Sequence, residues 1–518
     1  MKKFLYQLYL WASRLSDFFS TVHHLHTARF AKPYELTPIM DEALEGRHLL
    51  IGQDHFNHVL AVKPTDTQQE LGNLLLDGKT RAGKGLNIEA NLLNWQYPAI
   101  VNDIKLELWP RTAGFREQGL HGTAFLFDPR GYGHKFDPLE GKRTDAEFQS
   151  VATTLLFRPG EKEPVFTERA ITMLTQIFHA GSLEGERLLP YAQKMIYAGL
   201  YEAATVLEII SEKYDTYPNL ATRFLDVDYF HADFKDKFLV SCWGTMAARM
   251  NRLLTKESVR CFTGSDFTAQ DIITAKHPLS VYLHWPEKDV RSLAPLIQLV
   301  WDSLFDGMID AYDTRQGNGC QPVLAVLDEI FRVGMPKLPH YATTVVGRNI
   351  SLLVAAQSKA QLDAAYGEYE AKVLKAQFDT QIRYCPADKD TAKDIEEDLD
   401  YTSGFAHSKT EHENGTTNGE NEQKIPLLPA HEIRRMDTEE IIGFRSGLRP
   451  GLRPFRARRM DWHRFPILRE RAKIPPPSIP VLPLAEASPQ SRYKPAPSAK
   501  REWRPRQFPQ VIFPPLAA

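Results

Sequence analysis

The chain has 518 residues, with 63 Lys and Arg against 65 Asp and Glu, a formal net charge of −2. At about 100–200 residues per domain this is room for about two to four domains. A composition of 43% hydrophobic and 25% charged residues excludes a chain disordered throughout, and the balanced charge excludes a simple basic nucleic-acid coat. The four cysteines, Cys242, Cys261, Cys320 and Cys385, have no CxxC spacing, so they point neither to zinc nor to a disulfide framework. They are expected to be reduced and mostly buried.

The chain opens with Leu5, Leu8, Trp11, Leu15, Phe18 and Phe19 at helical spacing. Gln7, Ser13, Arg14, Ser16 and Asp17 interrupt the apolar run, which falls short of the ~18–20 residues of a membrane span. An amphipathic helix is predicted, docked on the protein itself or on a partner in preference to a membrane surface, because its polar face is not strongly basic.

Apolar runs at Leu74–Asp77, Ala99–Asp103, Thr123–Asp128, Ser280–Trp285, Pro322–Asp328, Ile350–Gln357 and Thr380–Cys385 predict strands of a sheet buried on both faces. They alternate with helical patterns at Lys84–Trp95, Leu106–Gln118, Leu293–Tyr312 and Lys359–Tyr366, the pattern of an α/β domain with a largely parallel sheet. Between about Glu163 and Arg252 the patterns are all helical (Phe166–Ala180, Leu188–Tyr197, Glu202–Lys213, Phe234–Leu253), which predicts an inserted helical subdomain. The polar stretch 403–424 is expected to be a mobile loop. Residues 466–518 hold 13 of the 35 prolines and nine Lys or Arg against three acids, so a disordered basic tail is expected there.

Three motifs carry chemistry. Gly78-Lys79-Thr80-Arg81-Ala82-Gly83-Lys84-Gly85 follows an apolar strand and opens a helix. Glycines let such a loop curl so that backbone N–H groups face phosphate oxygens, and Lys84 would reach the outer phosphates. A plain glycine-rich turn would share the letters. Gly85 stands where Ser or Thr usually binds Mg²⁺. Either water and acids hold the ion, or Thr80 substitutes, or hydrolysis is slow. Second, the apolar strand before Asp328 and Glu329 ends in two acids: Asp328 would hold Mg²⁺, directly or through water, and Glu329 would act as general base on water. Third, Gln357 ends the next strand, where it can contact a γ-phosphate or the lytic water. Arg348, just before that strand, can reach a neighbour's nucleotide in a ring assembly or form a surface ion pair. Asp103, Lys105 and Asp128-Pro129-Arg130 also close strands, as crevice residues or as turn formers.

The ordered runs GKTRAGKG, NDIKLELW, FLFDPRGYGHKFDPL, VLDEIFRVG, LLVAAQSKAQLDAAYG and FDTQIRYCPADKDTAKDI resemble the type IV secretion coupling proteins, over roughly residues 26–465. His26–Ala31 near the start and Leu448–Pro454 near the end extend the match. The resemblance implies a RecA-like P-loop NTPase core, α/β with a mostly parallel sheet and an all-helical insert, using ATP and Mg²⁺. By resemblance Lys84, Asp328, Glu329 and Gln357 take the roles above, Arg348 is a trans-acting finger, and glycine after the motif lysine is familiar. Two departures stand out: relatives mostly begin with transmembrane helices, and their DIKGE motif is Asp103-Ile-Lys-Leu-Glu107 here.

The domain plan expected is a lead-in at 1–45, a nucleotide-binding domain in two parts at 46–160 and 266–465, an all-α domain at 161–265 and the tail at 466–518. The function implied is an ATP-hydrolysing coupling protein that brings DNA or protein substrates to a type IV secretion channel. The implied partners are single-stranded DNA or a relaxase–DNA complex, channel components, further copies in a hexamer, and a membrane protein replacing the missing anchor. The expected place is the cytoplasmic face of the inner membrane. The alternatives are a double-stranded DNA translocase of the chromosome-segregation type and a non-hydrolysing adaptor.

Overall fold

The computed structural model describes residues 27–483 except 42–43, 45, 64–69, 159, 215–218, 330, 332–334, 413–414 and 449–450, with backbone alone for 405–421. The expected helix at Leu5–Phe19 lies outside the described residues.

After β1 (Met40–Asp41), β2 (Leu49–Gln53) and β3 (Val59–Val62) come β4 (Leu74–Asp77), α1 (Lys84–Asn94), β5 (Ala99–Asn102), α2 (Trp109–Gly114), β6 (Thr123–Asp128) and β7 (Tyr132–Gly133). A run of helices follows: α3 (Asp145–Leu156), α4 (Pro164–Leu183), α5 (Leu188–Ala198), α6 (Leu200–Lys213), α7 (Leu220–Leu225), α8 (Lys237–Leu253) and α9 (Ala269–Thr274). The sheet resumes with β8 (Leu279–Leu283), α10 (Val290–Arg315), β9 (Val323–Leu327), α11 (Leu338–Thr344), β10 (Ile350–Ala356), α12 (Lys359–Tyr366), α13 (Glu368–Ala376), β11 (Thr380–Arg383) and α14 (Lys389–Leu399). The chain then forms β12 (Tyr401–His412), β13 (Gly415–Pro426), α15 (Ala430–Ile433), β14 (Glu440–Arg445), β15 (Phe455–Arg458) and α16 (Pro466–Ala472).

Thirteen strands make one sheet in the order β1-β3-β2-β15-β14-β11-β4-β10-β9-β5-β8-β6-β7. From β11 to β6 every pairing is parallel; outside that block the pairings are antiparallel. This is an α/β, RecA-like P-loop core with an all-helical insert. Neighbouring residues of one strand serve opposite faces. Leu75, Ile100, Ala325 and Val354 join a core shared with the helical insert, whereas Leu74, Leu76, Val101, Val326 and Leu353 join a second core with α1. Both faces are therefore dry, which explains the uninterrupted apolar runs. Arg116 lies fully buried behind this sheet and, among the described residues, no carboxylate pairs with it. Its guanidinium donates to the carbonyls of Trp95 and Tyr97 and to Ser280 Oγ at 2.8 Å, and burial pushes its pKa down to about 10.

Two expectations need correction. The 403–424 stretch is not a loop: β12 and β13 pair antiparallel from Tyr401↔Pro426 to His412↔Gly415. Its polar composition does not prevent this, since the ladder satisfies the backbone whatever the side chains are. The tail is not disordered from 466 onward either. Leu468 of α16 is buried, and residues 473–483 run on as a strap to the far edge of the sheet. Gly133 N donates to Pro480 O at 2.7 Å, Leu482 N to Gly131 O at 3.1 Å, and Arg260 Nη1 to Leu482 O at 2.6 Å. Proline lacks an N–H but keeps its carbonyl, so a proline-rich segment can still accept bonds along an exposed edge.

Candidate functional site

The carboxyl ends of β4, β9, β10 and β5 converge, as their shared register requires: Ala356 pairs with Asp77, and Leu327 lies between Val354 and Asn102. The loop after β4, the acids after β9 and Gln357 after β10 therefore meet. They line one cavity of about 630 Å³, whose walls include Thr80, Arg81, Gly83, Lys84, Gly85, Lys105, Asp328, Glu329 and Gln357.

The loop is built in two halves. Gly78 N donates to Ala356 O and Lys79 N to Cys385 O, both at 3.3 Å, so these two residues anchor the loop to the flanking strands. Beyond them no protein acceptor, among the described residues, takes the N–H groups of Thr80, Arg81, Gly83, Lys84 and Gly85. These donors sit at the amino end of α1, where the helix dipole adds positive potential. Gly83 has φ +107°, and a Cβ there would come within 2.7 Å of the Arg459 side chain, so only glycine fits. Lys84 Nζ donates to the carbonyls of Gly78 and Lys79, the latter at 3.1 Å. Burial holds its pKa below the ordinary lysine value, partly offset by Asp77 and the two acids.

Across the cavity, Asp328 is crowded among the strand ends, and Asn102 Nδ2 donates to its carbonyl at 2.6 Å. Burial and the Glu329 carboxylate push its carboxyl up to about 7. A cation placed beside such a group would offset the penalty on its carboxylate. Glu329 takes a left-handed backbone, φ +52°, a strained setting for a non-glycine residue. Its Oε1 accepts from Lys105 Nζ at 2.8 Å and from Gln357 Nε2 at 3.4 Å. Gln357 Oε1 in turn accepts from Thr80 Oγ1 at 3.4 Å, so one chain of contacts runs from loop to acids.

The remaining residues divide. Lys105 enters the cavity, but the Asp103 carboxylate accepts the N–H groups of Glu107, Leu108 and Trp109 at 2.8–3.0 Å and caps a turn. Asp128 is gripped by Arg130 and lies outside the cavity. Arg348 sits before the amino end of β10, a strand of seven residues, or roughly 23 Å, from Gln357, and forms a two-point ion pair with Asp313 at 2.7–2.9 Å. It takes no part in its own chain's cavity. Residues that the motifs did not reveal also line the cavity: Arg459, whose Nη1 donates to Ala82 O at 3.4 Å, and the Glu89–Arg111 pair on α1 and α2. The cluster Arg456-Ala-Arg-Arg459 was the available signal for the first. A helix carrying Glu89 one turn beyond Gly85 was the signal for the second.

A family model for type IV secretory system conjugative DNA transfer matches residues 56–478. The chain belongs to this family. Two proteins of Escherichia coli, each named conjugal transfer protein TraG, are 22% identical to it over 352 and 351 residues, 62% of this chain and 54% of theirs. The chain thus spans about half the length of these curated relatives. Among solved structures, the bacterial conjugative coupling protein TrwBdeltaN70 in complex with sulphate superposes with a TM-score of 0.59 at 15% identity, covering 84% of this chain and 94% of the other. TrwB with the ATP analogue ADPNP gives 0.57 (15% identity; 84% and 94%), and TrwB with ADP and Mg²⁺ gives 0.55 (15%; 86% and 96%). These likenesses are of fold. Among the described residues of this conjugative-transfer family member, no helix is long and apolar enough to cross a membrane.

Proposed function

We propose that the chain is an ATP-hydrolysing coupling protein that delivers DNA, alone or with attached protein, to a type IV secretion channel. The observation that carries this is that five loop N–H groups with no acceptor among the described residues, and Lys84, share one cavity with the Asp328–Glu329 pair. The N–H groups of Thr80, Arg81, Gly83, Lys84 and Gly85 would bind the phosphates. Lys84 would exchange its two carbonyl partners for phosphate oxygens. TrwB structures with ADPNP and with ADP and Mg²⁺ support these ligands for a chain of this fold. Asp328 would hold Mg²⁺, which when bound neutralises charge on the outer phosphates. Gly85 offers no hydroxyl, but a Cβ there would meet no atom within 4 Å, so the site has room for water in its place.

Glu329 would take the proton of the attacking water. Lys105 and Gln357 hold its Oε1, so its orientation is fixed from the strand ends on both sides. For Arg348 we retain only a role toward a neighbouring copy in a hexamer, because its partner Asp313 and its place at the amino end of β10 exclude a role in its own cavity. Recruitment by a membrane-bound partner at the inner membrane completes the reading.

Turnover measured with equilibrium nucleotide binding tests it. Lys84→Ala should weaken binding about tenfold or more, the worth of a charged hydrogen bond. Glu329→Gln should keep binding and lower turnover at least about 100-fold. Turnover unchanged in Glu329→Gln would remove the assigned base, and the function with it.

A further inference from the structure

A second cleft lies between α3, α8 and the start of α10. Its volume is about 620 Å³, and it shares no residue with the nucleotide cavity. Arg158, Arg249, Arg252 and Arg291 line it, beside Phe157 and Pro295. Arg249 is the one built into the protein: it pairs with Glu161, donates to the Leu156 carbonyl and reaches Thr167 Oγ1 at 3.0 Å. Arg158 donates to the Phe157 carbonyl at 2.6 Å. Among the described residues, no carboxylate lies within ion-pair distance of Arg158, Arg252 or Arg291.

The fold therefore brings three further guanidinium groups to a concave surface where, among the described residues, Glu161 is taken by Arg249 and none of the three has an ion-pair partner of its own. Burial and repulsion from Arg249 and Arg252, offset in part by Glu161, lower the Arg158 pKa, in keeping with like charge brought together. Crowding of this kind is relieved by an anion, and guanidinium forks match phosphate oxygens in pairs. The neighbouring ring narrows the class of anion. Phe157 is 49% exposed, an unusual state for phenylalanine, and it stands among the arginines. An exposed aromatic beside a positive groove is the arrangement that stacks an unpaired base while its backbone is held by charge. A duplex hides its bases and would present only convex backbone to such a cleft.

We propose that this cleft binds a segment of single-stranded DNA, with Arg158, Arg252 and Arg291 on its phosphates and Phe157 against a base. The proposal rests on the DNA-delivery reading above and adds a place on the chain where the strand is held.

The test is fluorescence anisotropy of a labelled oligothymidylate with the full chain, titrated across a range of salt. The double variant Arg252→Ala/Arg291→Ala should bind about tenfold more weakly at low salt. Its plot of log affinity against log salt should be shallower by about 1.4, or 0.7 for each phosphate that is no longer neutralised. Both side chains are exposed, so melting temperature and nucleotide affinity should match the wild type. Arg291→Gln alone should remove about 0.7 of slope if the double variant folds poorly. Phe157→Ala should weaken binding about tenfold with the slope unchanged, because stacking carries no counterion. Wild-type affinity and slope in the arginine variants would overturn the cleft and leave DNA delivery standing. No binding of oligothymidylate by the wild-type chain would overturn both. Equal displacement of the oligonucleotide by polyglutamate, with no effect of Phe157→Ala, would show a general polyanion site and also overturn the proposal.

Discussion

At the scale of single residues, the nucleotide cavity is tuned by what surrounds Asp328. A carboxyl held up to about 7 keeps a proton that the unfolded chain has released, its ordinary value being 3.8. Between about pH 4 and 7 the folded, ligand-free protein binds more protons than the unfolded one, so this group's contribution makes stability fall as pH rises through that window. If Asp328 holds Mg²⁺ as proposed, binding needs its carboxylate, so Mg²⁺-nucleotide affinity should rise with pH up to about 7, with release of up to one proton. Calorimetry in two buffers of different ionisation enthalpy measures that proton, and Asp328→Asn should abolish it. Proton release unchanged in Asp328→Asn would place the titration elsewhere. Gly85 invites the opposite kind of experiment, a gain. Its open surroundings predict that Gly85→Ser folds normally, within about 0.5 kcal/mol, and binds nucleotide at lower Mg²⁺. Loss of nucleotide binding in that variant would mean that the backbone there cannot tolerate a side chain.

At the scale of elements, the phosphate loop is held from behind by a buried ion pair. Asp77, the last residue of β4, meets Arg383 of β11 at 2.6 Å, and these side chains are 3% and 2% exposed. Arg383 continues to Asp398 on α14 at 3.2 Å, and Lys375 of α13 joins the same acid at 3.1 Å. Removing one member of such a pair strands the other charge, so Arg383→Ala should cost about 3–5 kcal/mol in urea unfolding. Arg383→Met with Asp77→Leu should recover most of that loss, and a double variant as unstable as the single one would refute the explanation. The strands of the parallel block could be found in the sequence because both their faces are dry; Val323–Leu327 is apolar throughout. The antiparallel flank could not. β15 is Phe-Arg-Ala-Arg, four residues with only alternate positions buried, and the sequence of β12–β13 is too polar to show an apolar period. The same difference separates the site residues. Lys84, Asp328 and Gln357 stand in local patterns with strands before them. Arg459 reaches the loop only because β15 joins the sheet between β14 and β2, a fact about long-range pairing that no local window holds.

At the scale of the molecule, the strap after α16 makes the far edge of the sheet dependent on residues distant in sequence. β7 is two residues long, and Val481 bridges Tyr132 as its outer neighbour. An uncovered edge is a template for pairing with other chains, and covering it is the ordinary protection. A truncation after residue 483 should melt within about 1 °C of the full chain. One after residue 472 loses the buried Leu482, worth about 2 kcal/mol, and should melt a few degrees lower with a greater tendency to aggregate. Equal melting temperatures would make the strap incidental to stability.

The position of β4 also sets the order of events during folding. Its neighbours are β10 and β11, with Leu74 beside Leu353 and Thr380, so the strand that bears the phosphate loop is closed by segments nearly 300 residues later in the chain. The cost of closing such large loops is met before any of these pairings stabilises the chain. The loop is anchored as seen here only once β10 and β11 flank β4, because Gly78 and Lys79 donate to Ala356 and Cys385 at the ends of those strands. Competence to hold a nucleotide therefore reports that β4 has found β10 and β11, and a bound nucleotide selects, from all partly folded forms, those in which these distant segments have already met.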